Sequence, residues 1–296
     1  MSYKKTWIKG AISKGLALLL VGASMLAQAG EGSMGWVYTL DLQPKGTLEF
    51  EQRLSLVRGQ AQGSYDLWQS RTELEYGVTN DFQLAGYLNY YKVNAGSNDI
   101  TGDTTGLMVP GAAATNGTYS KTLSGYSVEG IWRLSNPVVS PVGAGLYLEY
   151  TGGQLKRDLE GRLLLQSNFL DDKLVTAANI VAGSKRMMFD AADQASESEL
   201  DLLLGVTYRF ANRWTAGVEY RYHNDFVGYR WRTRTQEAHF FGPNLHYADK
   251  DWWFTMAWRY QIKGECFADG VAECSKGYAW DGHGRNEYVM KFGFPF

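Results

Sequence analysis

A single transmembrane β-barrel of about twelve antiparallel up-and-down strands is the all-β fold this sequence predicts, and three observations predict it. Apolar and polar residues alternate with a period of two along most of the chain. Short and longer connections alternate between successive segments. Aromatic residues gather at both ends of those segments. A strand turns successive side chains to opposite faces, so period two marks one apolar and one polar face. A soluble sandwich shares that pattern. It has no reason to sort its loops by length or its aromatics into two belts, and a barrel in an outer membrane has both.

Composition excludes other classes. The 296 residues carry 29 Lys and Arg against 31 Asp and Glu, so no basic surface offers itself to nucleic acid. Two cysteines cannot staple a mini-protein, and an aromatic content of 14% does not suit a disordered chain. No apolar run of about 18 residues lies beyond the N-terminus, which argues against membrane-spanning helices.

Residues 1–29 read as a secretory signal peptide. Lys4, Lys5, Lys9 and Lys14 supply the positive start, a short apolar stretch follows, and Ala27-Gln28-Ala29 offers small residues for cleavage after Ala29. Removing it takes four lysines and no acid, which moves the net charge from −2 to −6. Such a signal suits export in a Gram-negative bacterium, with the outer membrane as destination. Residues 30–45 form an N-terminal periplasmic segment or a lumen plug. Trp36, Tyr38, Leu40 and Leu42 alternate before Pro44, a pattern that also suits an extra strand. Residues 46–296 form the barrel.

Its strands follow in order. Leu48, Phe50, Leu54 and Leu56 alternate with Glu49, Glu51, Arg53 and Ser55. Trp68, Leu74 and Tyr76 alternate with Gln69, Arg71, Glu73 and Glu75. Further alternating segments lie near 82–90, 126–134, 142–150, 159–169, 200–210, 214–222 and 252–262, with the last at 285–296. The segment 174–186 is weaker, and 238–247 is irregular around Pro243. Tight connections at 78–81, 136–141, 170–172, 211–213 and 248–251 fall after every second strand, the expected periplasmic turns. The remainder, expected outside the cell, include the long stretches 93–121, 187–197, 224–236 and 263–284. Tyr76, Phe82, Phe210, Trp214, Tyr247 and Trp252 flank the short turns. Tyr90, Tyr126, Tyr150, Tyr222, Tyr260 and Tyr288 sit toward the other rim.

The closing strand resembles the terminal strand of bacterial outer-membrane proteins. Tyr288, Met290, Phe292, Phe294 and Phe296 match that signature, which implies the barrel-assembly machinery as a partner; Pro295 departs from it. The run Trp36 to Gly46 followed by Glu49 and Glu51-Gln52, together with Arg71 to Thr79, resembles an uncharacterised proteobacterial family of outer-membrane barrels known as a domain of unknown function. The resemblance covers the mature chain. It implies location and fold and brings no catalytic residues.

The polar parity is expected to face the lumen. Its acids are Glu49, Glu51, Glu73, Glu75, Glu129, Glu149, Glu160, Asp201, Glu219 and Glu287; its bases are Arg53, Arg71, Arg133, Arg162, Arg209, Arg221, Arg259, Arg285 and Lys291. A strongly selective pore shows a ring of one sign, whereas this balance predicts a ladder of ion pairs. Like charges directly opposite are destabilising. The first two strands are therefore expected to shift by two residues, so that Glu49/Glu75, Glu51/Glu73 and Arg53/Arg71 do not face one another.

Twelve strands lie between the filled interior of eight and the aqueous channel of sixteen. A narrow channel or facilitator for small polar or charged solutes is the leading reading. The loop 93–121 is a candidate constriction, or else a surface loop. A closed barrel for structure or display is the alternative. A membrane-embedded hydrolase would need His223, which precedes Asn224-Asp225, to find an orienting acid and a nucleophile, and no serine has a spacing that forces one. Cys266 and Cys274 are expected to form a disulfide in an exported loop. No metal site and no cofactor are expected, and no phosphate-cradling glycine motif opens a helix. The basic-aromatic run 229–234 suits lipopolysaccharide phosphates as a partner alongside the membrane lipids, or else extends a strand above the membrane.

Overall fold

The computed structural model describes residues 31–98, 116–153, 156–188, 194–267, 274–280 and 282–296. Residues 1–29, expected to be a signal peptide, and much of the 93–121 loop lie outside the described residues. Among the described residues the barrel strands are β1 (Leu48–Arg58), β2 (Ser64–Thr79), β3 (Phe82–Gly96), β4 (Gly117–Ser135), β5 (Gly143–Gly153), β6 (Lys156–Phe169), β7 (Leu174–Met188), β8 (Gln194–Ala211), β9 (Trp214–Val227), β10 (Thr233–Ala248) and β11 (Trp253–Cys266), closed by β14 (Asn286–Pro295). Two short strands, β12 (Cys274–Ser275) and β13 (Tyr278–Ala279), pair with each other outside the wall.

Each barrel strand pairs with its chain neighbours, and β14 pairs with both β11 and β1, so no edge is left open. That closure is what a membrane demands, since lipid offers no partner to an unpaired backbone group. The alternation decides the facing. Leu74, Trp132, Val128 and Leu148 are each more than half exposed on the outer surface, whereas Glu49, Glu75, Glu129 and Glu219 point inward and are at most 3% exposed. Phe292, Phe294 and Phe296 line the outer face near the short-turn rim, where Phe50 and Phe294 stack at 5.0 Å.

The register of β1 against β2 corrects one expectation. Glu49 faces Glu75, Glu51 faces Glu73 and Arg53 faces Arg71, the unshifted pairing. Turn geometry sets it. Gly59 and Gly63 adopt φ of 75° and 65°, a region glycine enters without steric cost, and Gly59 N donates to Tyr65 O at 2.8 Å. The connection thereby places Arg58 opposite Asp66, with Nε to Oδ1 at 2.8 Å. Like charges deeper in the pair turn to partners elsewhere. Trp253 Nε1 donates to Glu49 at 3.0 Å, and Gln43 and Gln83 both donate to Glu75, at 3.3 and 3.1 Å. The Arg71 guanidinium lies 3.7 Å over the Tyr87 ring.

Candidate functional site

The barrel interior is occupied by the chain's own residues. After a short 3-10 turn at Glu31–Ser33, residues 34–43 cross the lumen buried: Met34, Leu40 and Thr39 are fully covered, and Val37, Tyr38, Leu42 and Gln43 nearly so. This segment joins no sheet. A buried backbone must still satisfy its N–H and C=O groups, and inward side chains of the wall do so. Glu219 accepts from three consecutive amides, Gly35, Trp36 and Val37, at 2.7, 2.8 and 3.0 Å. Asn179 holds both backbone groups of Tyr38, accepting from its N–H at 2.7 Å and donating to its C=O at 2.9 Å. Gln166 accepts from Leu40 at 2.5 Å and Gln83 from Gln43 at 2.8 Å. Arg133 donates to Leu40 O at 3.1 Å while its other nitrogens grip Asp81 in the β2–β3 turn. Thr255 donates to Gly32 O.

Apolar contacts complete the seat. Met34 and Val37 pack on Ala177, Val181 and Leu203; Tyr38, Leu40 and Leu42 pack on Ile131, Tyr147 and Leu164. Arginines cover the aromatic faces, with Arg259 4.1 Å over Trp36 and Arg162 4.4 Å over Tyr38. Gly205 leaves the room that the Met34 sulfur fills, and a Cβ there would overlap it.

The inward apolar residues Ile131, Leu164, Val181 and Leu203, and the amides Gln83, Gln166 and Asn179, are functional positions that charge alternation passes over. A legible signal existed. An apolar side chain on the polar parity of a wide barrel faces something other than water.

The lumen charges form ion pairs on one side and not on the other. Arg221 meets Asp201 at 2.6 Å, Arg162 meets Glu160 at 2.6 Å and Arg259 meets Glu287 at 2.5 Å. Arg71 and Glu149 approach to 3.7 Å. Glu49, Glu75 and Glu129 accept instead from neutral donors, among them the Tyr87 hydroxyl, which donates to Glu129 at 2.9 Å. Along the sheet Glu49, Glu75, Ala85, Glu129, Glu149 and Glu160 are successive register partners, a nearly continuous acidic row across six strands. Glu51, Glu73 and Lys291 are buried in the same wall; Arg209 is half-buried. Arg285 stacks 3.6 Å over Tyr278.

One polar cavity of about 200 Å³ remains beside this wall. Arg53, Arg71, Lys156, Asn89, Thr151 and Glu149 are among its lining residues. Toward the long-loop rim the β11–β14 connection folds inward. Ala279 is gripped in both directions by Gln261, and Gln60 donates to Trp280 O and His283 O. A disulfide joins Cys266 to Cys274 in this connection, with Cα atoms 5.8 Å apart.

His223 lies beneath it, 2% exposed. Its Nδ1 is 2.6 Å from Asp201 and its Nε2 2.8 Å from Asp225, so both ring nitrogens already face carboxylates and neither faces a substrate. His283 packs edge-on against it at 4.6 Å. Burial, together with the neighbouring His223 and Arg221, holds the His283 imidazole well below the usual histidine range.

The model of a family of unknown function, DUF6662, matches residues 26–296. The chain belongs to that family. No curated protein matches the sequence. Among solved structures, the COG4313 outer-membrane channel from Pseudomonas putida F1 superposes with a TM-score of 0.58 at 10% identity, covering 86% of this chain and 97% of that one. The NanC porin superposes with a TM-score of 0.51 at 11% identity, covering 83% and 98%. At these identities the likeness is one of fold, that of outer-membrane β-barrels.

Proposed function

We propose that this DUF6662 member is an outer-membrane channel for small polar or charged solutes, kept narrow by its own N-terminal segment. The observation that carries the reading is the division of the lumen. Residues 34–43 fill one side through side-chain hydrogen bonds, and a polar cavity persists on the other. A segment held by side chains and not by a strand ladder leaves the closed wall intact when it moves. A barrel needing only a filled core has no use for a cavity lined by Arg53, Arg71 and Lys156 against Glu149. This lining favours small anions, because cations outnumber the acid there. Export through cleavage after Ala29, insertion with the short turns in the periplasm, and contact of the 229–234 run with lipopolysaccharide belong to the same reading.

Planar-bilayer recording tests it. The mature protein is expected to give small unitary steps with anion preference, and a form lacking residues 31–42 larger ones. If both folded, heat-modifiable forms stay silent, the channel reading fails and a closed structural or display barrel replaces it.

A further inference from the structure

We propose that His223, Asp225 and His283 form a site for one divalent first-row transition-metal ion, tying β9 to the β11–β14 connection at the long-loop rim. Each residue offers one ligand atom, and the three atoms lie within 4.8 Å of one another. All three side chains are buried, at 2, 7 and 5% exposure. Two atoms of the cluster have no hydrogen-bond partner, Asp225 Oδ1 and His283 Nε2. Buried polar atoms without partners are rare and point to an ion or water that completes them.

The surroundings are built for metal ligation. A ligating histidine donates its second ring N–H to a carboxylate, which fixes the tautomer and the ring orientation. Asp201 stands 2.6 Å from His223 Nδ1 in that position, with Arg221 Nη2 2.8 Å from the same nitrogen, leaving Nε2 toward Asp225. Arg221 anchors Asp201 at 2.6 Å, and Gln236 donates to Asp225 Oδ2 at 2.7 Å. Two imidazoles and one carboxylate suit Zn²⁺, Co²⁺, Ni²⁺ or Fe²⁺, whereas Ca²⁺ and Mg²⁺ prefer oxygen alone. Bonds of about 2.0–2.2 Å require only small rotations that draw the three atoms together. The ion replaces the hydrogen bond between His223 and Asp225, and water fills the remaining coordination. It also adds a tie between a connection and the wall. His283 stands in a connection, Asp225 in the wall, and the metal joins them as the disulfide joins Cys266 to Cys274.

The test uses mature, tag-free, refolded protein titrated with Co²⁺ and read by visible absorption, with Zn²⁺ as competitor. One ion per chain is expected, released by a chelator. His283→Ala and Asp225→Asn should each weaken binding at least about tenfold, and Asp201→Asn about tenfold with stoichiometry unchanged, since carboxylates behind a ligand carry effects of that size. His239→Ala, which removes a histidine paired with Tyr220, should leave binding unaltered. The absence of saturable one-to-one binding to heat-modifiable protein overturns the proposal, as does unchanged binding in His283→Ala. Should a variant not fold, the wild-type protein decides alone. Zn²⁺ is expected to protect the 267–285 connection from protease, and cleavage that ignores Zn²⁺ rejects the site.

Discussion

The two ends of the lumen are lined by different chemistry. At the short-turn side, residues 34–43 lie against inward amides and apolar residues, and Glu219, Asn179, Gln166 and Gln83 satisfy their backbone one group at a time. At the long-loop side, a connection anchored at both ends in the wall folds inward. It is tied by a disulfide and by buried charge around His223. The first is held by side-chain hydrogen bonds and apolar contacts, with no strand ladder. The second is looped by a disulfide. The difference teaches that one barrel can hold one inner segment by side chains in place of strand partners and another by a disulfide.

The largest expected effect breaks the first closure outright. Deleting residues 31–42 removes the Met34, Val37, Leu40 and Leu42 contacts and the three backbone amides that Glu219 holds. Single-channel conductance should rise several-fold while heat-modifiable migration persists. Unchanged conductance would show that these residues obstruct nothing.

Next comes the anchor itself. Glu219→Ala strips acceptors from three buried amides and from Asn244, which donates to Glu219 at 2.8 Å. Each orphaned group costs about 1–3 kcal/mol. Limited proteolysis should then cut within 34–43 in the folded barrel, and Glu219→Gln, which keeps an acceptor, should be cut more slowly. Equal resistance in Glu219→Ala and wild type would mean the apolar seat alone holds the segment.

A smaller effect is expected from Gly205→Val. The new side chain claims the space of the Met34 sulfur, and overpacking of this kind costs about 1–3 kcal/mol. Protease protection of the segment should fall without loss of barrel assembly. Retained protection would place Met34 in an alternative seat.

The smallest effect concerns the remaining cavity. Arg53→Glu exchanges a cation for an acid where Arg71 and Lys156 remain. The reversal potential in a salt gradient should move toward cation preference with unit conductance little changed. A reversal potential that does not move would take the conducting path away from this wall.

Much of the wall was legible in the residues. Leu74, Glu75 and Tyr76 alternate outward, inward, outward because a strand allows no other course, and local period is enough to read it. The tight turns and the terminal Phe292, Phe294 and Phe296 follow from the same local signals. The site was less legible. Ion pairs form along the wall for Arg221–Asp201 and Arg259–Glu287, where opposite charges stand on neighbouring strands. It failed for Glu49, Glu51, Glu73 and Glu75. Their register was set by Gly59 and Gly63 at the turn; Trp253 donates to Glu49, and Gln43 and Gln83 donate to Glu75.

The sequence by itself determined the period, the faces, the count of strands and the two aromatic belts, since each depends on residues a few positions apart. The tertiary structure decided the register of β1 on β2, the occupant of the lumen and the meeting of His223, Asp225 and His283. The physical reason is separation. Glu219 reaches amides 182 to 184 residues away and Asn179 one 141 away, through contacts that exist only once the wall has closed around the segment it holds.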